Sequence, residues 1–165
     1  MPHVAVSAIT VRPARSEDAS AMADVFAAAV ADGGRDAYGP RERAAWAAQG
    51  TAARFADMLA DPNKTLLAAE VRERLVGLAG IEGCEVALLY AAPEAPAGTG
   101  SALLAAVEAL ARTRGIEALH LTASRNALSF YLRRGYAIIR LASRPLPGDV
   151  SLPVCLMAKA LVIHP

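Results

Sequence analysis

Two glycines stand at the junction between a strand and a helix in the segment LLYAAPEAPAGTGSALL, residues 88–104. An apolar strand ends at Tyr90, the chain turns through Pro93, and Gly98 and Gly100 come where a helical pattern begins. A helix N-terminus offers free N–H groups and about half a positive charge, and glycines let a ligand approach its backbone closely. The junction therefore fits a phosphate or pyrophosphate, although a glycine turn that only starts a helix would have the same residues.

Two common nucleotide-binding motifs are excluded at this junction. A Walker loop needs Lys followed by Ser or Thr after its glycines, whereas Gly100 is followed by Ser101 and Ala102. A dinucleotide-binding Rossmann motif needs a third glycine and helical crossovers, but tight turns join the preceding strands. A phosphate-loop nucleotide enzyme is therefore not expected.

The composition indicates one domain without a preference for nucleic acid or membranes. The 165 residues suit a single domain, and 17 Lys+Arg against 16 Asp+Glu give a formal charge of +1 with no run of like charges. No apolar run reaches about 18 residues, and the first residues lack the pattern of a secretory signal. We therefore expect a cytoplasmic protein that binds neither nucleic acid nor membrane. Cys84 and Cys155 lie in apolar segments without CxxC spacing, which predicts two buried thiols and no metal site.

The hydrophobic periodicity predicts the elements that position these residues. Residues 1–8 are expected to form a loose leader and residues 9–165 one domain, with Ser16 capping the first helix. Strand patterns occupy residues 9–14, 65–71, 73–82, 84–91, 116–123, 136–143 and 150–161, and helical patterns follow Ser16, Pro40 and Thr51 and occupy 98–114 and 126–135. Tight turns link the early strands while helix 98–114 makes a crossover. This predicts an α/β domain around a mixed, mostly antiparallel sheet of six or seven strands.

A second motif makes the pattern specific. The segment HLTASRNALSFYLRRGY, residues 120–136, runs from a strand through Asn126 into a short helix that stops at Gly135. Together with LLYAAPE…GTGSALL, in this order and at this distance, it resembles the GNAT superfamily of acetyl-CoA-dependent N-acetyltransferases. The resemblance covers roughly Ile9 to Leu161, including the closing PVCLMAKAL. It implies direct transfer of an acetyl group from acetyl-CoA to a primary amine of a small molecule or peptide.

The resemblance also implies where acetyl-CoA, as co-substrate, is held. In this family it enters between two parallel strands that splay apart, here those ending at Tyr90 and Ala123. The backbone of the first strand would pair with the pantetheine arm as with an added strand, and the glycine turn would enclose the pyrophosphate. The residues matched by position are Leu89, Tyr90, Ala91, Pro96, Ala97, Gly98, Thr99, Gly100, Ser101 and Asn126.

The turn departs from the family pattern just before its first glycine. Members usually carry Gln or Arg there, followed two residues later by another basic or small residue, whereas this chain has Ala95, Pro96 and Ala97. Pro96 has no N–H, and none of the three supplies a cation for phosphate. The alternative function is therefore a catalytically weak or silent acetyl-CoA-binding or interaction domain of the same fold.

Acetyl transfer needs a proton donor for the departing thiolate and a base for the amine. By resemblance, Tyr131 matches the position of the family's general acid and Glu85 that of its base. Glu82 is the fallback for Glu85, and His120 is a third candidate by residue type that more often has a structural role in a strand.

Residues beside these candidates carry structural expectations. Strand alternation predicts Glu85, Ala87 and Leu89 on one face and Cys84, Val86 and Leu88 on the other. Phe130 is expected to point toward the core. Ser124 is expected to cap the next helix, or else to contact acetyl-CoA.

The amine acceptor is expected to bind among the helices before the sheet, where Tyr38, Arg41, Arg43 and Trp46 gather. Aromatic rings with guanidinium groups suit a small substrate that carries a carboxylate. The same residues equally fit a packed helix with a charged outer face. The sequence names no acceptor and is compatible with a homodimer.

Overall fold

Seven strands form one sheet in the order β1-β2-β3-β4-β5-β7-β6 in the computed structural model, which describes residues 8–162. The strands are β1 (Thr10–Pro13), β2 (Lys64–Val71), β3 (Arg74–Glu82), β4 (Glu85–Ala91), β5 (Ala118–Ser124), β6 (Ala137–Leu146) and β7 (Val150–Ala160). Neighbouring strands are antiparallel except β4 and β5, which are parallel. The predicted mixed, mostly antiparallel sheet is confirmed. The expected leader at 1–8 lies outside the described residues except for residue 8.

Helices cover both faces of the sheet because their apolar side chains recur at helical spacing. They are α1 (Ala19–Gly33), α2 (Pro40–Ala47), α3 (Ala52–Ala60), α4 (Thr99–Thr113) and α5 (Leu128–Arg133). The first three helices bury Met22, Phe26, Trp46 and Phe55 on one face. On the other face α4 buries Leu103, Leu104, Val107 and Ala111. Each such leucine stabilises the fold by about 1.5–3 kcal/mol.

Tight turns set the register of the early strands. Arg72 and Glu73 join β2 to β3 with φ angles of 51° and 65°, the conformation of a primed hairpin turn. Gly83 and Cys84 join β3 to β4, so the Cys84 thiol is exposed and the prediction that it is buried was wrong. Cys155 lies within β7 and is buried as predicted.

Asp18, and not Ser16, anchors the start of the first helix. A short 3-10 turn at Ser16–Asp18 precedes α1, and no cap bond from Ser16 is formed. The Asp18 carboxylate instead accepts the Arg15 N–H at 2.7 Å and two bonds from the Arg12 guanidinium. The bond from Arg12 is the main reason that the pKa of Asp18 lies below its usual range.

A β-bulge in β4 reverses the predicted alternation of its side chains. Ile81 pairs with Val86 and Gly80 with Leu88, which leaves Ala87 as the extra residue. Val86 therefore packs on the α4 face, and Leu88 packs with α1 to α3 on the other. The expectation that Glu85, Ala87 and Leu89 share one face was wrong, because Leu89 packs on the α4 face with Val86. Glu85 precedes the bulge and lies on the face of Leu88 and α3.

Candidate active site

A cavity of about 510 Å³ opens where β4 and β5 part. It brings together four of the residues matched from the sequence, Glu85, Leu89, Tyr90 and Tyr131. The rest of the wall comes from β4, α2, the strands β5 to β7 and the 3-10 turn before α5. Its lining residues there are Trp46, Val86, Ala87, Leu88, Thr122, Ala123, Ser124, Ala127, Arg140, Ala142, Ser143, Arg144, Pro145, Leu152, Val154 and Leu156. The volume is that of a small-molecule site.

The cavity exists because β4 and β5 pair at one position. Glu85 pairs with His120, and the His120 N–H donates to the Cys84 carbonyl at 3.0 Å. Beyond this point β4 keeps its pairing with β3 up to Ala91, and β5 keeps its pairing with β7 up to Ser124. The edges that face each other across the gap are left open, so the predicted splay is confirmed.

Tyr131 lies in the wall of the cavity with only 6% of its surface exposed. Its ring packs edge-on against Phe130 at 5.1 Å and Tyr136 at 5.6 Å between centroids. Burial raises the pKa of Tyr131 well above that of a free phenol, and Tyr90 nearby raises it further. The hydroxyl therefore keeps its proton throughout the neutral range.

Glu85 is half-buried at the border of two spaces. One is the cavity just described, and the other is a groove of about 400 Å³ between α3 and the start of β4. The fallback Glu82 lines only the groove, where the Lys64 ammonium lies 3.9 Å from its carboxylate. Glu85 is thus the carboxylate that reaches the cavity.

The glycine turn lies beside the cavity at the start of α4. Gly98 has a φ of +90°, and a Cβ there would have open space around it. Thr99 is buried, and both its N–H and its hydroxyl donate to the Pro96 carbonyl, at 3.2 and 2.7 Å. Because α4 begins at Thr99, the N–H groups of Gly100 and Ser101 have no carbonyl within the helix. These two N–H groups are the free donors at the start of the helix.

An arginine that the sequence analysis did not single out lies against this turn. Arg134 donates from Nε to the Ser101 hydroxyl at 3.1 Å and from a terminal nitrogen to the Phe130 carbonyl at 3.0 Å. Its guanidinium also stacks on the Phe130 ring, 3.7 Å from the centroid. Phe130, expected to point to the core, is half-buried and packs against the core on the α4 face, 3.2 Å from the position of a Cβ on Gly100. Nothing in the local sequence signals this contact, because Ser101 lies 33 residues away.

The remaining matched residues are not part of the cavity wall. Ala91 ends β4, and Ala97 is exposed in the loop before Gly98. Asn126 is exposed in a 3-10 turn, with its side-chain nitrogen 3.3 Å from the position of a Cβ on Gly33. Ser124 lines the cavity and makes no cap bond, so the expectation that it caps was wrong.

Of the four residues expected around the acceptor, Trp46 alone lines the cavity. The Tyr38 hydroxyl donates to the Pro153 carbonyl at 2.6 Å and accepts the Arg125 N–H at 3.0 Å. Arg41 donates to the Gly148 carbonyl, and Arg43 to the Ala31 carbonyl. These three side chains therefore bond to backbone groups of other segments and have a structural role.

Arginines of β6 take the place expected for Arg41 and Arg43. Arg140 and Arg144, with Ser143, line the cavity from this edge strand. A weak signal was present in the sequence, since residues 140, 142 and 144 of one strand share a face.

Residues 8–162 contain neither a cluster of metal ligands nor a helix suited to a membrane. No group of three or more His, Cys, Asp or Glu side chains is placed to hold a metal ion. None of the helices in that range has the length and apolarity needed to cross a membrane.

Known proteins match both the sequence and the fold. The family model described as an acetyltransferase (GNAT) domain matches residues 34–143. A search of curated proteins found no match. The crystal structure of a GCN5-related N-acetyltransferase from Rhodopseudomonas palustris is 31% identical, with a TM-score of 0.88 over 97% of this chain and 100% of that one.

More distant structures share the fold. The PaiA N-acetyltransferase of Thermoplasma acidophilum, in complex with coenzyme A, is 19% identical and has a TM-score of 0.75 over 93% of this chain and 99% of that one. The ribosomal-protein-S18-alanine N-acetyltransferase of Escherichia coli is 15% identical, with a TM-score of 0.70 over 96% and 97%. The family model spans most of the chain and the 31% identity extends over nearly all of it; the chain belongs to the GNAT family of acetyltransferases.

Proposed function

We propose that this chain transfers the acetyl group of acetyl-CoA directly to a primary amine of a small molecule or peptide. The observation that carries the proposal is the cavity at the parting of β4 and β5, where Glu85 and Tyr131 line the same space. Both residue types suit the reaction, since the Glu85 carboxylate can remove a proton from the amine and the Tyr131 hydroxyl can deliver one to the leaving sulfur.

Acetyl-CoA fits the features around this cavity. The open edge of β4 at Leu89, Tyr90 and Ala91 offers backbone groups to an extended amide chain. The turn at Gly98 leaves room for a ligand beside the N-terminus of α4, whose free N–H groups favour an anion. Acetyl-CoA supplies an acyl group activated as a thioester.

The proton balance assigns one task to each side chain. As the amine nitrogen forms the new bond to the carbonyl carbon, the carbon–sulfur bond breaks and its electron pair goes to sulfur. Glu85 accepts the proton that the amine loses, directly or through water, and the Tyr131 hydroxyl donates a proton to the sulfur. Burial raises the pKa of Tyr131, so its hydroxyl is protonated when the step begins. The proton lets the sulfur leave as a neutral thiol, and the Tyr131 phenolate that remains regains a proton from solvent, which balances the proton that Glu85 releases.

Arg134 bears on the alternative that the domain is silent. The loop before Gly98 carries no cation, which would weaken phosphate binding. Arg134 brings a guanidinium to Ser101 in the first turn of α4, where it can act in place of that cation. This contact favours a binding-competent enzyme over an inactive relative.

The experiment combines binding and turnover. Calorimetry measures acetyl-CoA affinity, and free-thiol release measures transfer across amino acids, polyamines, aminoglycosides and peptide N-termini. We expect binding below millimolar concentration and amine-dependent thiol release that Tyr131→Phe reduces. Binding without transfer to any amine would support the silent domain, and no binding at millimolar acetyl-CoA would overturn both functions.

A further inference from the structure

The cavity wall is electrically asymmetric. Among its lining residues Glu85 is the sole acid, whereas β6 contributes Arg140 and Arg144. In residues 8–162 neither guanidinium forms a salt bridge with a carboxylate. The part of the wall formed by β6 therefore presents positive charge that the fold itself does not neutralise.

The register of β6 directs Arg144 toward the face that also carries Glu85. Arg144 pairs with Leu152 and Ala142 with Val154, and both β7 residues pack with α1 to α3. Tyr90 projects to this same face. Arg144 and Tyr90 both line the cavity, and the charge of Arg144 lowers the pKa of Tyr90 against the larger effect of burial.

Trp46 provides a second, independent feature of this part of the wall. Its side chain lines the cavity with 4% of its surface exposed, and its ring lies edge-on to Tyr90 at 6.3 Å. Its indole Nε1 is buried and forms no hydrogen bond of ordinary length within residues 8–162, but it interacts with the Tyr90 hydroxyl, whose pKa the Trp46 N–H lowers. The Trp46 N–H and the Tyr90 hydroxyl therefore form a polar pair in this aromatic part of the wall.

We propose that the acceptor is a small molecule in which an anionic group, carboxylate or phosphate, lies close to the reactive amine. The inference rests on the proposed acetyl transfer. Arg144 binds the anion, and Glu85 faces the amine. A zwitterion matches a wall that is acidic at β4 and basic at β6, because each charge then meets its opposite.

The neighbouring groove has the opposite charge balance. It contains the acids Asp57, Asp61, Glu82 and Glu85 against the cations Arg54 and Lys64, and Lys64 pairs with Asp61 at 3.0 Å and with Glu82 at 3.9 Å. The groove is therefore acidic on the Glu85 side that receives the amine, whereas β6 on the other side of the cavity keeps its positive charge.

Matched pairs of amines test the inference. Each α-amino acid is compared with its carboxamide, and phosphoethanolamine with ethanolamine, by thiol release under saturating acetyl-CoA. We expect at least a 10-fold preference in kcat/KM for the anionic member of one pair. The pair that shows the preference identifies the anion as a carboxylate or a phosphate. The carboxamide retains a free α-amine with a pKa of about 8, so the preference would run against intrinsic amine reactivity. Equal rates within both pairs would overturn the inference.

Substitution of Arg144 tests whether β6 is the source of the preference for anionic amines. Arg144→Gln should raise KM for the preferred anionic amine by about 10- to 100-fold, leave KM for acetyl-CoA unchanged and leave the neutral member unaffected. Arg15→Gln is the matched control, since Arg15 is exposed and lies far from the cavity wall. A loss of the same size for the neutral amine would show a general role for Arg144 and contradict anion binding.

A binding measurement separates this inference from acetyl transfer itself. Calorimetry with the same pairs, using wild type and Arg144→Gln saturated with coenzyme A, requires no turnover. Preferential binding of the anionic member with no transfer would retain the anion site and overturn the proposed function. Acetyl transfer to neutral and anionic amines that bind with equal affinity would support the proposed function and overturn the anion site.

Discussion

Glu85 stands opposite His120 in the residue pair that joins β4 to β5, so the candidate base occupies the point where the two strands separate. Its backbone is fixed by pairing with β3 on one side and with β5 on the other. The next residues of β4 lie beside the open cavity. The backbone at this position is held by the sheet, while the side chain of Glu85 lines the cavity.

Glu85→Gln should depress the rate of acetyl transfer most at low pH. The acceptor amine is then protonated and depends on a base, whereas at high pH the free amine needs none. The pH dependence of kcat/KM for the amine is the measurement, with Glu82→Gln as the matched control. A Glu85→Gln profile that overlays the wild-type profile would remove Glu85 from the mechanism and direct attention to Glu82.

Tyr131→Phe should lower kcat by about 10²-fold, the lower end for general acid catalysis, with acetyl-CoA affinity nearly unchanged. The ring keeps its contacts with Phe130 and Tyr136, so thermal stability should be retained. Steady-state kinetics and calorimetry on the same protein check both parts. Weaker acetyl-CoA binding with unchanged kcat would instead assign the hydroxyl to binding.

Gly98→Val should abolish acetyl-CoA binding, because a side chain would occupy the open space beside the glycine turn. It also forces valine into the left-handed region, at a cost of about 1–2 kcal/mol. Gly115→Val at the other end of α4 is the matched control, since Gly115 also has a positive φ of 71° and open space. Calorimetry with acetyl-CoA should show loss of binding for the first variant and near-normal binding for the second.

Arg134→Gln should weaken acetyl-CoA binding by about 10-fold or more through loss of a charge-assisted contact at Ser101. Arg133→Gln on the same helix is exposed and should have little effect. Adding Ala97→Arg to Arg134→Gln should restore affinity, because Ala97 is exposed in the loop that lacks a cation. Unchanged affinity in Arg134→Gln would show that the helix N-terminus suffices without the guanidinium.

Alkaline titration should reveal that all four tyrosines of the chain resist ionisation while the protein is folded. Burial is the largest cause that raises the pKa of Tyr38, Tyr90, Tyr131 and Tyr136. Above pH 10 the unfolded chain loses phenolic protons that the folded protein keeps, so stability falls as pH rises. Phenolate absorbance should develop together with loss of circular dichroism. Phenolate formation near pH 10 in a protein that is still folded would contradict this.

The sequence predicted the elements better than their exact contacts. Helix α4 and the meander β2 to β4 follow from local periodicity and turn residues, and both are present. The bulge at Ala87 was missed because its presence depends on pairing with β3, which one strand's own alternation does not encode.

Part of the candidate site could not be predicted from local sequence patterns. Glu85, Tyr90 and Tyr131 were matched through motifs, and the fold brings them to one cavity. The roles of Tyr38 and Arg134 depend on partners 115 and 33 residues away. Such long-range contacts are fixed by tertiary packing and leave no signal in the spacing of neighbouring residues.

The pairing between β4 and β5 has a consequence for amide hydrogen exchange. The sheet consists of two blocks, β1 to β4 and β5 to β7, which share the pair Glu85–His120. Few backbone hydrogen bonds join the blocks, whereas both hydrophobic clusters contain residues of both blocks and hold them together. Amide hydrogens that face the gap should therefore exchange with solvent faster than those inside either block. An extended ligand that bonds along β4 would protect the β4 amides, so slower exchange in the complex should be concentrated at this edge.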